Sequence, residues 1–354
     1  MIRAFKIAEN GNPYTIKLKP STDMRENFMH TVSKRPSIKI FGHRGARGLA
    51  PENSLPGYET ALAIGVDYVD MDVVMTRDNV VVVYHDPRLN PNFTRDSSGR
   101  YVTEKLLIRE MTFNELQAYD IGRLNQDTSY AAMFPDQQPV DGTRIPSLRQ
   151  VIQKVNRLSA NRVGFQIELK THPEQHDLSV PFETLTHAVA EIIKEENIIN
   201  RTIVQAFDWR CLLRLRDIDP GIQTAFLTDR SRHRRMLSAD IDEAGKWTAG
   251  WLLKDFNGSI PRMIKAMGGN VWGPEDAQLL EDETLVEQAH TLGLSVIPWH
   301  WPEKSTAAGE PDIMEKLIDQ GVDGIITDRP DILRHLMKTR NMPLPPAFQK
   351  NFRI

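Results

Sequence analysis

The sequence has a single cysteine among its 354 residues. One cysteine excludes an intramolecular disulfide and any metal site built from several thiolates. Cys211 lies at helical spacing within the segment WRCLLRLRD, which predicts a buried position for its side chain. The fold must therefore be held together by apolar packing, and a hydrophobic fraction of 40% is ordinary for a protein with a full core.

The sequence also lacks a net positive charge and an N-terminal hydrophobic run. The formal net charge of −3 gives no basic field, so we expect no nucleic acid partner. The N-terminal stretch has no continuous apolar segment, which argues against a signal peptide and against a transmembrane anchor. As the sequence stands we expect a cytoplasmic protein, or a periplasmic or secreted one if the N-terminus was processed or replaced. No sequence pattern indicates an oligomeric state.

A glycine-rich phosphate loop is missing after the first predicted strand, which argues against an open doubly wound sheet. Short β-branched runs recur instead, at the spacing expected if an amphipathic helix follows each. Eight such units predict an α/β fold, the (β/α)8 TIM barrel. The eight runs are SIKIFG, VDYVDMDVV, RVGFQIELK, TIVQAF, IQTAFLT, GNVWGP, LSVIPWH and DGIITD.

A ninth run, VVVVYHD, complicates this count. Only the segment TRDN separates it from VDMDVVM, which is too short for a parallel crossover and therefore predicts an antiparallel hairpin. Pairing outward from this turn places Met75 opposite Val80 and Asp70 beside His85. The hairpin is thus predicted to deliver a histidine to the end of the sheet where the carboxylates lie.

The chain divides into three predicted regions. Residues 1–37 form an N-terminal extension, residues 38–340 the barrel, and residues 341–354 a C-terminal tail. Within the barrel, residues 88–145 lack regular strand and helix alternation and are predicted to be a small insertion after the strand that ends in His85. We expect this insertion to cap the site and, because its side chains are mostly polar, to favour a small headgroup over an acyl chain.

Reactive side chains collect at the C-terminal ends of the predicted strands, where barrel enzymes hold their catalytic groups. Three carboxylates meeting there would repel one another by about 4 kcal/mol per pair at a separation of about 4 Å, which a bound cation would relieve. An all-oxygen ligand set predicts one hard divalent cation, Mg²⁺ or Ca²⁺. The residues are His43 and Arg44 on the first strand end, Asp70 and Asp72 on the second, His85 on the hairpin, and Glu168 and Lys170 on the third.

The remaining groups suit chemistry at phosphorus. His43 and His85 offer an acid and a base that titrate near neutrality, and the residues leave open which of them is which. Arg44 and Lys170 add fixed positive charge for a phosphate-like anion. We therefore predict a metal-dependent enzyme acting on a phosphate ester.

Six motifs in order resemble the signature of the glycerophosphodiester phosphodiesterase family. They are HRG, PENS, DMD, HD, ELK and GIITDRP, and the resemblance runs from about Ile38 to Arg334. It implies a TIM barrel that hydrolyses a small-molecule glycerophosphodiester to glycerol phosphate and an alcohol. It also suggests that the attacking group is the glycerol hydroxyl of the substrate, through a cyclic phosphate that water then opens.

The resemblance implies a role for each matched residue. Asp70, Asp72 and Glu168 would bind the metal, and His43 and His85 would form the acid/base pair. The phosphate and substrate residues would be Arg44, Lys170, Glu52, Asn53, Phe207 and Trp299. His300 lies outside the matched motifs and is assigned no role.

Two positions depart from the family pattern. Asp70 stands where the family usually has glutamate, and the shorter side chain predicts a shifted ion or an added water. After Trp299 the chain reads His300 where the family commonly has a Thr-Val-Asn turn, which bears on the specificity for the alcohol.

Two other functions are compatible with the same motifs. One is a lysophospholipase D-like phosphodiesterase that acts on a long-chain lipid, for which the insertion would have to present apolar surface. The other is a barrel that binds phosphodiesters without turnover, against which both histidines argue.

Overall fold

The computed structural model describes residues 38–228, 245–300 and 310–348. The predicted N-terminal extension, residues 1–37, lies outside these ranges, as does the end of the predicted tail. Each of the eight predicted runs contains one parallel strand, so the predicted barrel is confirmed. The strands are Lys39–Gly42 (β1), Tyr68–Met75 (β2), Val81–Val83 (β3), Gly164–Leu169 (β4), Thr202–Ala206 (β5), Gln223–Thr228 (β6), Val271–Pro274 (β7), Ser295–Val296 (β8) and Gly324–Thr327 (β9).

The parallel strands follow one another around the barrel in the order β8-β7-β6-β5-β4-β2-β1-β9, with β3 outside this path on β2. The two ends of this path, β8 and β9, are joined by backbone hydrogen bonds. Asp323 N donates to Val296 O at 2.9 Å and Ile326 N donates to Pro298 O at 3.0 Å. This nearly closed barrel brings the C-terminal ends of all eight parallel strands to one face.

The hairpin of β2 and β3 is antiparallel as predicted, but the predicted register is wrong by one residue. Met75 pairs with Val81 rather than Val80. Thr76 N donates to Val80 O at 3.0 Å, so the turn itself is one residue shorter than TRDN. Asn79 turns the chain with a φ of 62°, a left-handed conformation that asparagine tolerates well.

Helices surround the barrel on its outer side. Helix α1 begins after Ser54, whose side chain accepts a hydrogen bond from Gly57 N, and ends before Gly65, which has a φ of 96°. No helix in the described ranges is long and apolar enough to cross a membrane. The helices are Leu55–Ile64 (α1), Phe113–Leu116 (α2), Ser129–Met133 (α3), Leu148–Ser159 (α4), Phe182–Glu195 (α5), Trp209–Ile218 (α6), Ile260–Ala266 (α7), Asp276–Glu281 (α8), Leu285–Thr291 (α9), Glu310–Gln320 (α10) and Pro330–Thr339 (α11).

The main apolar core lies between the strands and these helices. Helix α4 shows the pattern, because Leu148, Val151, Ile152 and Val155 recur at helical spacing and are fully buried. Each such side chain contributes about 1.5–3 kcal/mol relative to an exposed one. Cys211 is buried in the same core, as predicted.

Residues 88–145 build a second, smaller core of their own. Alternation along the hairpin separates the two cores, since Val73 and Val83 face the main core while Val74 and Val82 face the second. The insertion therefore rests on the outer face of the hairpin. Its apolar residues include Phe93, Ile108, Leu116, Ile121, Leu124, Phe134 and Ile145.

The described part of the C-terminal tail contacts the barrel layer. Phe348 N donates to Leu62 O at 2.9 Å, and the Arg162 guanidinium lies 4.7 Å from the Phe348 ring centroid. Arg334 Nη1 donates to Pro345 O at 2.7 Å. These contacts fix the last described turn of chain against α1 and α11.

Candidate active site

The loop between β1 and α1 carries two predicted site residues in an uncommon backbone conformation. Arg44 and Asn53 both have a φ of 49°, and such residues cluster at functional sites. Gly42 precedes this loop, and a Cβ placed on it would lie 2.2 Å from Gly45 O. The tight turn after β1 thus requires glycine where the chain leaves the strand.

His43 is held by Asp328, which follows β9, and by Arg47, which lies in the same loop as His43. Its Nδ1 lies 2.7 Å from Asp328 Oδ1. Arg47 donates to the same carboxylate twice, from Nε and from Nη2, each at 2.8 Å. Burial lowers the pKa of His43 to about 4; Asp328 opposes the shift and Arg47 adds to it. The ring is therefore neutral near pH 7.

Arg44 lies between carboxylates. Its Nη1 donates to Glu52 Oε1 at 2.7 Å, and its Nε lies 3.1 Å from Asp72 Oδ2. That second contact is not aligned as a hydrogen bond, so within the described part of the chain the buried Nε has no acceptor. An unused donor on a buried guanidinium is available for an anion.

Asn53 positions one of the carboxylates. Its Nδ2 donates to Asp72 Oδ2 at 2.9 Å, while its Oδ1 accepts from Tyr58 OH at 3.1 Å and from Asp72 N at 3.3 Å. Because both ends of the amide are used, its orientation is fixed. Asn53 therefore supports the site from behind.

The three predicted carboxylates lie on neighbouring strands, as their motifs indicate. Asp72 on β2 is the register partner of Glu168 on β4, and Asp70, Asp72 and Glu168 are all at most 8% exposed. Lys170 Nζ lies 2.5 Å from Glu168 Oε1 and 3.1 Å from Asp72 Oδ1. Two of the three carboxylates thus have a cationic partner.

Asp70 has no cationic side chain within ion-pair distance in the described ranges. It accepts from Gln205 Nε2 at 2.7 Å and from Arg44 N at 3.4 Å. Burial and the nearby charges of Asp72 and Glu168 raise the pKa of Asp70 well above its usual value. Burial would also raise the pKa of Asp72, but Lys170 and Arg44 lower it well below its usual value.

These residues fit a hard divalent cation by their chemistry. A buried carboxylate that is repelled by two others and lacks a cationic partner is the arrangement that a bound ion would relieve. Among the described residues no three His, Cys, Asp or Glu side chains are arranged as a formed metal site. Lys170 and Arg44 contact the oxygens of Asp72 and Glu168 instead.

His85 has a carboxylate partner of its own. Its Nδ1 lies 2.7 Å from Asp86 Oδ1, and Asn90 Nδ2 donates to the other oxygen of Asp86 at 2.5 Å. Burial would raise the pKa of Asp86, but His85 and the hydrogen bonds lower it to about 2. The two histidines are thus each oriented through Nδ1 by an aspartate.

A single cavity of about 620 Å³, counted with the space at its mouth, joins these groups. One wall is apolar, where the rings of Phe207 and Trp299 meet at 90° with centroids 5.6 Å apart. The lining includes every predicted site residue except Asp72, Glu52 and Asn53, which support it from behind. The lining residues are His43, Arg44, Arg47, Asp70, His85, Glu168, Lys170, Gln205, Phe207, Leu227, Trp299, His300 and Ile326.

No residue of 88–145 lines this cavity. The expectation that the insertion contacts the headgroup directly is therefore not met by the described cavity wall. The described contacts of the insertion with the site lie behind Arg44 and Arg47 instead, where Tyr130 bonds to Glu52. The argument for a small headgroup from a polar cap loses its basis.

Sequence reasoning missed several residues of this site. Asp328 directly follows β9, so the rule that selected the other strand ends would have found it, and Asp86 adjoins His85. His300 lines the cavity, and its Nδ1 lies 2.5 Å from Asp276 Oδ2. This pair joins the end of β8 to α8, a contact for which the sequence offers no local signal.

Comparisons with known proteins identify the family. The profile of the Glycerophosphoryl diester phosphodiesterase family matches residues 43–332. The chain belongs to this family. The match includes all six motifs from HRG to GIITDRP, so the resemblance predicted from the sequence is confirmed.

Individual members of the phosphodiesterase family agree in length and fold. YhdW of Bacillus subtilis, assigned as a glycerophosphodiester phosphodiesterase, is 29% identical over 83% of this chain and 96% of its own. A crystal structure from Silicibacter pomeroyi, assigned as a glycerophosphoryl diester phosphodiesterase, shares 30% identity with a TM-score of 0.74, covering 87% and 96% of the two chains. An Oleispira antarctica phosphodiesterase solved with sn-glycerol-3-phosphate shares the fold at 18% identity and a TM-score of 0.59, covering 85% of this chain and 97% of its own.

Proposed function

We propose that this protein hydrolyses glycerophosphodiesters to glycerol phosphate and an alcohol, with one divalent cation bound by Asp70, Asp72 and Glu168. The observation that carries the proposal is the shared cavity, onto which both histidines, both cations and two of the carboxylates open. Family membership supports the reaction class. The geometry supports the roles of the individual residues.

The three carboxylates are proposed as the ligands of Mg²⁺ or Ca²⁺, both of which prefer oxygen donors. A cation bound there would supply positive charge to the phosphoryl oxygens and so stabilise charge that develops on them. Asp70 is the ligand with the most to gain, because it is the carboxylate without a cationic partner among the described residues. Binding would also require Lys170 Nζ to move away from the oxygens of Asp72 and Glu168 that it contacts.

Arg44 and Lys170 are proposed to bind the phosphate. The buried Nε of Arg44 lacks an aligned acceptor within the described chain, and Lys170 lines the same cavity. A guanidinium already fixed by Glu52 needs little reorganisation to bind an anion. Phe207 and Trp299, which also line the cavity, are proposed to contact the carbon atoms of the substrate.

His43 is proposed as the general base. A proton on Nδ1, donated to Asp328, leaves Nε2 as an acceptor for the proton of the attacking hydroxyl. Because burial lowers the pKa of His43 to about 4, the imidazole is neutral near pH 7 and its Nε2 can accept that proton. As the hydroxyl loses its proton, its oxygen forms the new bond to phosphorus.

His85 is proposed as the general acid. It lines the same cavity, and the contact of its Nδ1 with Asp86 Oδ1 at 2.7 Å leaves Nε2 as the nitrogen that would carry the proton for the leaving oxygen. When the bond between phosphorus and the leaving oxygen breaks, His85 donates this proton to the alkoxide. The alcohol then leaves neutral, and a cyclic glycerol phosphate stays beside Arg44. In a second step water attacks phosphorus while His85 takes its proton, the ring bond from phosphorus to the glycerol oxygen breaks, and His43 returns its proton to that oxygen, which gives glycerol phosphate.

Substitution of the ligands tests the metal assignment directly. We expect Asp72→Ala and Glu168→Ala to abolish Mg²⁺ or Ca²⁺ binding in calorimetry and to remove cation-dependent hydrolysis. Asp70→Glu, which restores the longer ligand usual in the family, should retain both. Glu195→Ala is the matched control, because Glu195 is an exposed carboxylate paired with Arg149 on the outside of the barrel. An Asp70→Glu enzyme as inactive as Asp72→Ala would contradict the assignment of Asp70.

The same assay separates the substrate classes. Glycerophosphocholine and glycerophosphoethanolamine represent small headgroups, and lysophosphatidylcholine below its micelle-forming concentration represents the long-chain alternative. Leu227, Trp299 and Ile326 line the cavity with apolar surface, which does not by itself favour either class of substrate. The two classes are therefore compared by their kcat/KM values. Faster turnover of the lysolipid would move the proposal to the lysophospholipase D-like reaction at the same site.

A further inference from the structure

One short stretch of the insertion, residues 130–138, contacts the loop between β1 and α1. Gln137 Nε2 donates to Arg47 O at 2.8 Å, and Gln138 N donates to Leu49 O at 3.0 Å. The Arg47 guanidinium stacks on Phe134, 4.6 Å from the ring centroid. This loop is the one that presents His43 and Arg44 to the cavity.

The hydroxyl of Tyr130 hydrogen-bonds to two residues of this loop. It donates to Glu52 Oε2 and accepts from Arg47 Nη1 at 3.3 Å. Its ring packs edge-on against Phe134, with centroids 5.2 Å apart. Burial and the Glu52 carboxylate raise the pKa of Tyr130, so the side chain remains a phenol that can donate its proton.

Each neighbour of this hydroxyl leads to a different part of the site. Glu52 accepts from Arg44 at 2.7 Å, which is the proposed phosphate ligand. Arg47 forms the double hydrogen bond to Asp328, which in turn contacts His43. A single hydroxyl from the insertion thus connects Arg44, the proposed phosphate ligand, to His43, the proposed general base.

We propose that Tyr130 is a positioning residue that sets the Arg44 guanidinium and the His43 imidazole relative to each other. This inference rests on the proposed function of the site. The insertion contributes to the reaction from behind the cavity wall, since none of its described residues lines the cavity. The proposal accounts for an aromatic hydroxyl placed between Glu52, which is only 4% exposed, and Arg47, which is 5% exposed.

Tyr130→Phe is the decisive variant, because it keeps the ring and removes only the hydroxyl. Glu52 then loses a donor, and the charge pair of Glu52 with Arg44 can shift. Misplacement of a reacting group by about 1 Å costs about 10²-fold in rate, so we expect kcat/KM to fall by about 10- to 100-fold. We expect inorganic phosphate, measured by calorimetry in the presence of Mg²⁺, to bind at least about 5-fold more weakly.

Tyr101→Phe is the matched control. Tyr101 belongs to the same insertion and donates through its hydroxyl to Leu124 O at 2.9 Å, a contact within the insertion. Its loss should leave kcat/KM and phosphate binding at wild-type values. Equal thermal unfolding midpoints of Tyr130→Phe and Tyr101→Phe would show that a loss of activity in Tyr130→Phe comes from lost positioning and not from unfolding.

A double-mutant cycle distinguishes action through Glu52 from a general effect on stability. If Tyr130 acts through Glu52, the effects of Tyr130→Phe and Glu52→Gln on phosphate binding are not additive. Additive effects, or a Tyr130→Phe protein that matches Tyr101→Phe in both kcat/KM and phosphate affinity, would overturn the proposal. Phosphate binding is measured without turnover. A wild-type protein without hydrolytic activity would therefore contradict the proposed function, while the phosphate affinities of the variants would still decide the role of Tyr130.

Discussion

His43 sits in surroundings that decide its protonation and its tautomer together. Burial disfavours the imidazolium, and Arg47 adds a positive charge 3.2 Å from Nδ1. Asp328 accepts from the ring and is itself held by two hydrogen bonds from Arg47. Burial would raise the pKa of Asp328, but Arg47 and His43 lower it, so the carboxylate stays charged.

The first prediction concerns this tautomer. Nitrogen-detected imidazole spectra of the wild-type protein should show His43 neutral, with the proton on Nδ1, between pH 8 and pH 5. Its pKa of about 4 lies below the ordinary 6.5, so protonation occurs only as the pH falls through about 4. A resonance that His43→Gln removes, and that titrates near the ordinary value, would contradict this assignment.

Asp328→Asn tests the consequence for turnover. The asparagine cannot accept from Nδ1 in the same way and breaks the pairing with Arg47, so the imidazole loses the tautomer that leaves Nε2 free. Positioned proton transfer contributes about 10²- to 10⁴-fold, and we expect kcat to fall by that amount with a smaller change in KM. A variant that loses substrate affinity alone would make Asp328 a binding residue.

At the scale of elements, the loop between β1 and α1 is the part of the fold most constrained by its sequence. It contains two left-handed residues, Arg44 and Asn53, and a turn closed by the hydrogen bond from Gly45 N to Gly42 O at 3.0 Å. Position 57, near the start of α1, also requires glycine, because a Cβ on Gly57 would lie 2.4 Å from Pro51 O. The segment HRGARGLAPENSLPG thus specifies a backbone path and not only side chains.

Gly42→Ala tests this constraint. The added Cβ would lie 2.2 Å from Gly45 O, a backbone atom that can move only with the turn carrying His43 and Arg44. We expect a loss of about 1–3 kcal/mol in the free energy of unfolding, by analogy with overpacked sites, and a fall in kcat of at least about 10-fold. Gly221→Ala is the control, since its Cβ would meet side chains and no backbone atom, Asp219 Oδ1 at 3.0 Å and Ile199 Cγ2 at 3.7 Å. Wild-type stability and activity in Gly42→Ala would refute the account of this turn.

The hairpin shows where sequence reasoning about elements stops. Its antiparallel pairing followed from the short connection, because no parallel crossover fits four residues. Its register did not follow, because the side chain of Thr76 accepts from Val80 N and brings Thr76 into the pairing, which shortens the turn by one residue relative to TRDN. Turn chemistry of this kind depends on hydrogen bonds that no periodicity records.

At the scale of the whole molecule, the barrel and the core of the site were predictable for the same reason. Parallel strands must end at one face, so motifs at strand ends that are far apart in sequence meet in space. Asp72 and Glu168 became register partners in this way. The contacts that escaped prediction join elements by side chains alone, as Tyr130 reaches Glu52 across 78 positions and Asp276 reaches His300 across 24.

The insertion illustrates the same limit for function. Its polar composition indicated a cap over the substrate, whereas its apolar residues form a separate core on the outer face of the hairpin. Composition alone cannot distinguish a segment that covers a cavity from one that supports its wall. Only the packing of Phe93, Tyr130 and Phe134 decides between them.

Phosphorus NMR of glycerophosphocholine incubated with the full chain tests the central claim most directly, because it follows substrate and product together. With Mg²⁺ or Ca²⁺ present, the account predicts that the diester resonance is replaced by that of glycerol phosphate. After exhaustive chelation the diester should persist, and return of the cation should restore its conversion. Unchanged diester with both cations, across glycerophosphocholine, glycerophosphoethanolamine and lysophosphatidylcholine, would contradict the proposed reaction. Equal conversion in chelator would contradict its dependence on a metal.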